Sequence, residues 1–483
     1  MNTVQTPRGA RPALLLCGAM SGLAVLSFLT APLPAERMDV WSAIVAASIA
    51  VCCGAYAVFV VRQNRLAAWS PLFWFISAYA LYFGIGPLLR TFGNGASVDY
   101  IDRTFLLHSD GWRRANLLNC VALAITCLIY QFVTGMPSTA SRVTGTSKTR
   151  VLTFLVLVGV PIKYCLVAPA TLGLVTTIVP GVWRTLAMLV PGAVALGWQI
   201  IAEGNRRLVF PIVLLTGAEL WLGWTSLAKV ELLITIIAIS LGLYTGRRSL
   251  RPLVFMAAAT GLIVFVLTDA VLITRDQQSK TDLSLNQRAA AFADNLRTSM
   301  SQQDNSGQPQ MWWIRLSYVG AQAFAMQQYD MGRPGDTFGL ALYAFVPRFI
   351  WPEKPTVTVG DLFNELLTGM STSRSTPGAF AEAYWNGGWF LVIGAAMYLG
   401  LLLALLERWN MTSVATGDAT WIPSALIVII AGASPDNWFV ATFVGTIPLI
   451  FLPWIVMKCL EHVSRIVSTA LGKPQGGSWA THV

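Results

Sequence analysis

Apolar positions in this chain gather into twelve runs, separated by short polar breaks and, once, by a long polar segment. A transmembrane helix needs about 20 mostly apolar residues. The runs that approach this length are residues 12–30, 40–61, 67–89, 116–135, 151–174, 185–202, 208–225, 230–243, 252–274, 387–406, 421–433 and 438–457. The eighth and eleventh are the shortest. The pattern predicts an all-α polytopic membrane protein with about twelve spans and one large, partly helical outer loop. Its divisions are residues 1–274 (spans one to nine), 275–386 (the loop), 387–457 (spans ten to twelve) and 458–483 (a tail).

Composition agrees with the pattern. Of 483 residues, 55% are hydrophobic and 12% charged, against roughly a quarter charged in soluble domains. A disordered chain, a coiled coil and an ordinary cytosolic enzyme are excluded. The net charge of +10 changes the picture only through its distribution. With an inside N-terminus, the inner breaks hold sixteen Lys and Arg and the short outer ones seven, so both termini are expected in the cytoplasm. The long segment holds nine basic and ten acidic residues. The surplus is therefore a topology signal, and no nucleic-acid partner is expected. The first run follows Arg8 and Arg11 and precedes Ala-Pro-Leu-Pro-Ala, as in a signal peptide; its length favours an uncleaved anchor. The seven cysteines lie in spans or at the inner edge, and none is in the long loop.

Loops this long in compact proteins usually carry function. Leu285, Ala289, Phe292 and Leu296 stand at helical spacing and predict an amphipathic helix over 283–300. Residues 311–328, opened by Trp312 and Trp313, predict a second helix lying as a lid at the headgroup level. Residues 335–350 are apolar but too short to span and are expected to dip into the bilayer. Pro347, Pro352 and Pro355 hold Arg348, Trp351, Glu353 and Lys354 in an extended turn. A short helix is expected over 361–367, then a Ser/Thr/Gly-rich loop with Arg374.

Ionisable residues inside spans mark functional positions. Here they are Lys163, Glu219, Lys229, Glu231 and Asp269, with Lys163 near mid-membrane and Glu219 placed to pair with Lys229 across a tight turn. The chain has three histidines, no HExxH, no Cys/His cluster and no glycine-rich phosphate loop, so neither metal, ATP nor another cofactor is expected. What remains is a set of cations, carboxylates and aromatics on the outer side. Arg forks and Lys point charges suit phosphate oxygens, aromatics suit sugar faces, and a carboxylate suits proton transfer from a hydroxyl. Glycosyl transfer from a lipid-linked pyrophosphate fits this inventory, and so does a carrier of anionic lipids.

The stretch from Val346 to Pro355, with Pro347-Arg348, Trp351-Pro352 and Lys354-Pro355, resembles the large-loop motif of the Wzy-type O-antigen (oligosaccharide repeat-unit) polymerases. Ser375-Thr376-Pro377-Gly378 followed by Glu382, Asn386 and Gly387 is similar to the family's second motif, and Ser226 to Lys229 to its Lys-bearing span entry. The resemblance implies a metal-independent, GT-C-like glycosyltransferase in the inner membrane of a Gram-negative bacterium. It would join undecaprenyl-pyrophosphate-linked repeat units into lipopolysaccharide O-antigen or exopolysaccharide at the periplasmic face. It also implies a chain-length regulator and a flippase as pathway partners.

The expected base is Glu382, with Asp361, Glu365 and His108 as competitors. Arg348, Lys354 and Arg374 are expected to hold the pyrophosphate, with Arg333 and Lys229 as further cations. Trp351, Tyr384 and Asn386 are expected to bind sugar. The alternatives are transfer to another acceptor, as in O-antigen ligases, and a lipid-linked oligosaccharide flippase. The family's ligases commonly use a periplasmic His, and the long loop has none.

Overall fold

The computed structural model describes residues 10–64, 66–134, 147–175, 179–226, 229–247, 249–280, 285–302, 309–344, 346, 351, 353, 359–369 and 375–470. Among them all regular structure is helical, and eleven helices are long and apolar enough to cross a membrane. In chain order the elements are α1 (Pro12–Leu29), α2 (Ala35–Gln63), α3 (Pro71–Phe92), the short α4 (Gly95–Phe105), α5 (Ser109–Thr134) and α6 (Lys148–Thr171). Next come α7 (Gly181–Ala202), α8 (Arg206–Thr225), α9 (Val230–Arg247) and α10 (Arg251–Thr274). The long segment supplies α11 (Leu285–Gln302), α12 (Val319–Asp330) and α13 (Val359–Thr368). The chain closes with α14 (Ala379–Thr416), α15 (Ala419–Gly432) and α16 (Val440–Ser464).

The chain is an all-α, multi-pass membrane protein. Only helices satisfy their own backbone groups in lipid, and the apolar outer surface matches that solvent: Phe210 is 78% exposed and Phe390 85%. The eighth run, though short, continues to Arg247 as a full-length helix.

The helix of the eleventh run is too short to span by itself. Its α-helical part, Ile422–Gly432, has 11 residues, about 16 Å at 1.5 Å per residue, against a hydrocarbon core of about 30 Å. Gly432 ends it against the backbone carbonyl of Pro71, where α3 begins. The chain therefore leaves helical geometry inside the bundle. Non-helical backbone is tolerated at such depth only beside protein or a polar cavity. Here the 375–382 segment holds it: Ala379 N–H donates to the Pro435 carbonyl at 3.1 Å, and the Thr376 hydroxyl to the Asp436 carbonyl at 3.0 Å.

Three spans contain a π-helical turn, at Ala80–Ile85, Pro161–Val167 and Val440–Val444. Pro161 accounts for the second, because its ring excludes the ordinary i−4 hydrogen bond. The 38-residue α14 is broken at Gly388, whose φ of +59° and ψ of −153° fit no helix.

The long segment departs from expectation in two places. The lid helix breaks into Met311–Ile314 and α12, and α12 is not at the surface. Ala321, Phe324, Ala325 and Met326 are all buried, and Gln322 exchanges two 2.9 Å hydrogen bonds with Asn119 of α5. An amide paired with an amide removes the cost that otherwise keeps glutamine out of an apolar core. The amphipathic helix forms as α11, with Phe292 and Leu296 on its packed face as expected. Phe292 packs edge-on against Trp224 while Ala289 is exposed. The short helix expected over 361–367 is α13. The proline turn around 347–355 and the loop bearing Arg374 lie mostly outside the described residues.

Lys163 is not an isolated mid-membrane charge. Its Nζ lies 2.6 Å from Glu219 Oε2 and 3.0 Å from Glu231 Oε2, and Tyr164 donates to Glu219 Oε1 at 2.7 Å. Glu219 is thus paired with Lys163. Lys229 opens the helix leading into α9, and its side chain lies outside the description. The triad ties α6, α8 and α9 together.

Candidate functional site

Three polar arrangements gather where the long segment meets the 433–440 loop. The first centres on Glu382. It stands in the turn of α14 that follows Gly378, a residue with φ of +84° that lets the chain enter the helix beside Phe83 and Pro435. The carboxylate is fully buried. One oxygen accepts from the Thr337 hydroxyl at 2.6 Å, and the other from the backbone N–H of Phe439 and, at 3.4 Å, of Val440. Those N–H groups are the unpaired donors that open α16. Glu382 is therefore a cap supplied by another helix, favoured also by the helix dipole.

Both oxygens of the Glu382 carboxylate are thus engaged within the protein. Asn386, four residues on, shares that face as the helical spacing predicts. Its Nδ2 donates to Thr337 Oγ1 and to the Glu382 carbonyl, both at 2.8 Å, and its Oδ1 accepts from Phe338 N–H at 3.1 Å.

Capping leads to a direct expectation. Glu382→Ala leaves the Phe439 N–H and the Thr337 hydroxyl hydrogen without an acceptor, while Asn386 still donates to the Thr337 oxygen; each such loss costs about 1–3 kcal/mol when buried. Glu382→Gln keeps an acceptor for α16 and gives Thr337 a donor. The Ala variant should lose about 2–4 kcal/mol of stability and the Gln variant about 1 or less, as read by thermal unfolding in detergent. Equal losses would show that the charge, rather than the cap, is what matters.

The second arrangement joins α5, α12 and α14. Arg114 pairs with Asp330, and the Tyr384 hydroxyl donates to the same carboxylate at 3.1 Å while receiving Arg114 Nη2 at 3.3 Å. Tyr384 also packs on Tyr329 and Trp389, with ring centres 5.5 Å away in each case. Arg333, just beyond α12, has an exposed side chain, and its carbonyl accepts from Trp385 Nε1 at 3.0 Å.

The third arrangement is built on residues that the sequence reading did not single out. Asp436 lies between α15 and α16 and is partly exposed. Its Oδ2 accepts from the Tyr318 hydroxyl at 2.9 Å. Tyr318 stacks edge-on with Tyr82 at 5.4 Å. Partial burial pushes the Asp436 carboxyl up to about 6, against the opposing pull of the Tyr318 hydrogen bond, and drives the Tyr318 hydroxyl well above its ordinary range. Arg315, four residues before α12, is exposed and acts on Tyr318 through its positive field.

Among the other expected residues, Trp351 packs its ring edge-on against Tyr343 at 5.3 Å. Glu365 is exposed on α13, Asp361 partly so, and His108 is exposed just before α5. Arg348, Lys354 and Arg374 lie outside the described residues. Sequence reasoning also passed over Thr337 and Glu407. Glu407 accepts from Ser70 and is buried because α14 runs ten residues past the apolar stretch. Asp436 did carry a signal: Pro435-Asp436-Asn437 is turn chemistry directly after a run too short to span.

These elements define a helical membrane protein with a polar, aromatic-walled region at one end of the bundle. Comparison with protein-family models, with curated proteins and with solved structures returns no match.

Proposed function

We propose that the chain is a glycosyltransferase that joins oligosaccharide repeat units carried on undecaprenyl pyrophosphate, a polymerase of O-antigen or a related polysaccharide. In this reading it sits in the inner membrane of a Gram-negative bacterium, with both termini cytoplasmic and the long segment periplasmic. One observation carries most weight. The segment from Ser375 to Asn386, which bears the second motif, is bonded to the non-helical 433–438 loop and to Phe439, where α16 begins. That juxtaposition groups carboxylates, hydroxyls and aromatic rings, an inventory that suits a lipid-borne sugar.

The chemistry follows from the residue types. Breaking the bond between sugar and pyrophosphate builds negative charge on the leaving group, and fixed cations stabilise that charge most in the transition state. Arg348, Lys354 and Arg374 supply the cations, with the exposed Arg333 beside them in sequence order. Tyr384 and Trp351 offer ring faces for sugar. Glu382 and Asn386 hold the frame through Thr337 and Phe439.

Purified protein mixed with lipid-linked repeat units should give a ladder of products without ATP or added metal. Arg348→Ala should lower turnover by about 10²-fold, the scale seen when one transition-state donor is removed, with protein level unchanged. Movement of the lipid across vesicles without any ladder would instead select the flippase reading, and a single transfer to a different acceptor the ligase reading.

A further inference from the structure

Asp436 is a carboxylate with an unusual setting. Its backbone is fixed from outside its own loop, by Thr376 on its carbonyl and by Ala379 on that of Pro435. Its side chain has one described hydrogen-bond partner from another residue, the Tyr318 hydroxyl at 2.9 Å, and it is partly exposed beside the exposed Asn437. The neighbouring carboxylates are committed elsewhere: Glu382 caps α16 with both oxygens, and Asp330 is held by Arg114 and Tyr384. A rigid backbone, one orienting hydroxyl and an open side suit a group that exchanges a proton with a bound molecule.

We propose that Asp436 accepts the proton of the attacking sugar hydroxyl, and that Tyr318 is the positioning residue that aims it. The assignment rests on the glycosyl-transfer reading above. In the step, the acceptor hydroxyl oxygen forms a bond to the anomeric carbon of the donor sugar. The bond from that carbon to the pyrophosphate oxygen breaks, and its electron pair leaves with the pyrophosphate. The hydroxyl proton passes to an Asp436 oxygen and from there to water. The titratable and charged groups facing Asp436 are Tyr318, Tyr82 and, through Tyr318, Arg315.

The sign of the pH dependence follows. The carboxylate accepts a proton only when ionised, so kcat/KM falls as pH drops through the Asp436 value of about 6. Tyr318→Phe removes a hydrogen bond that favours the ionised form, so the acid limb moves to higher pH while turnover persists.

The test uses the full-length protein and lipid-linked repeat units. Asp436→Asn is expected to lower turnover by about 10²-fold or more, the usual share of a positioned base. Asp436→Glu should recover part of it with a shifted acid limb, and the melting temperature should stay within a few degrees in each. A wild-type protein that makes no ladder overturns the glycosyl-transfer reading and this assignment with it. An active wild type with an equally active Asp436→Asn variant overturns the assignment alone. If Asp436→Asn does not fold, Tyr318→Phe decides: an unmoved acid limb rejects the proposal.

Discussion

Lys163→Met is expected to destabilise the protein by about 3–5 kcal/mol, the cost of stripping one partner from a buried pair. The side chains of Lys163 and Glu219 are 4% and 1% exposed. The substitution leaves two carboxylates, Glu219 and Glu231, facing a site from which the Lys163 ammonium has gone. Attraction within the triad is strong because the surroundings are apolar, and for the same reason the orphaned charge is expensive. The double variant Lys163→Met with Glu219→Leu should recover most of the loss, since replacing both members by packed apolar groups is often neutral. Unfolding titrations in mixed detergent micelles, run as a double-mutant cycle, give both numbers. A single variant as stable as the wild type would show that the triad contributes nothing to holding α6, α8 and α9 together.

Gly388→Ala should cost about 2–6 kcal/mol, from two sources acting on one atom. At φ of +59° and ψ of −153° the backbone occupies a region that is almost exclusive to glycine, worth about 1–3 kcal/mol of strain for any other residue. A Cβ there would also stand 2.9 Å from the Tyr329 ring, an overlap that costs about 1–3 kcal/mol when the neighbours cannot yield. Tyr329 is itself braced by Tyr384. The comparison is Gly394→Ala in the same helix, where a Cβ meets nothing within 4 Å and helix propensity favours alanine by about 1 kcal/mol. Thermal melts should separate the two variants in opposite directions. Parallel behaviour would mean that the α14 break is tolerant and that Tyr329 moves aside.

Span positions were legible because lipid demands long apolar runs, and that demand is local in sequence. What the runs cannot state is which helices touch. Lys163 and Glu219 are 56 residues apart, and no spacing rule links a lysine on one span to a glutamate two spans later. A tight turn made Lys229 the expected partner for Glu219, and proximity in sequence gave no sign of Lys163. The burial of α12 was hidden for a related reason. Gln322 marks a solvent face in any pattern of polar and apolar positions, and only Asn119 on another helix removes that meaning.

Glu382 was legible as a residue to watch, being a carboxylate at the entry to a span. Its work as a cap depends on where the chain returns 57 residues later. Asp436 fell in a break between two apolar runs. Turn residues there look like a surface connection until the short Ile422–Gly432 helix places them inside.

The cap on α16 also bears on the order in which the molecule is made. Glu382 leaves the ribosome well before Phe439 and Val440, the groups its second oxygen requires. Until the last hairpin inserts, the carboxylate has only Thr337 for company, and the 375–382 strip has nothing to grip at Pro435 and Asp436. The insertion machinery must therefore shelter a half-built end through the synthesis of α14 and α15. The final helix is then the latch: a chain that stops short of it keeps its earlier spans but never closes the end where the long segment lies.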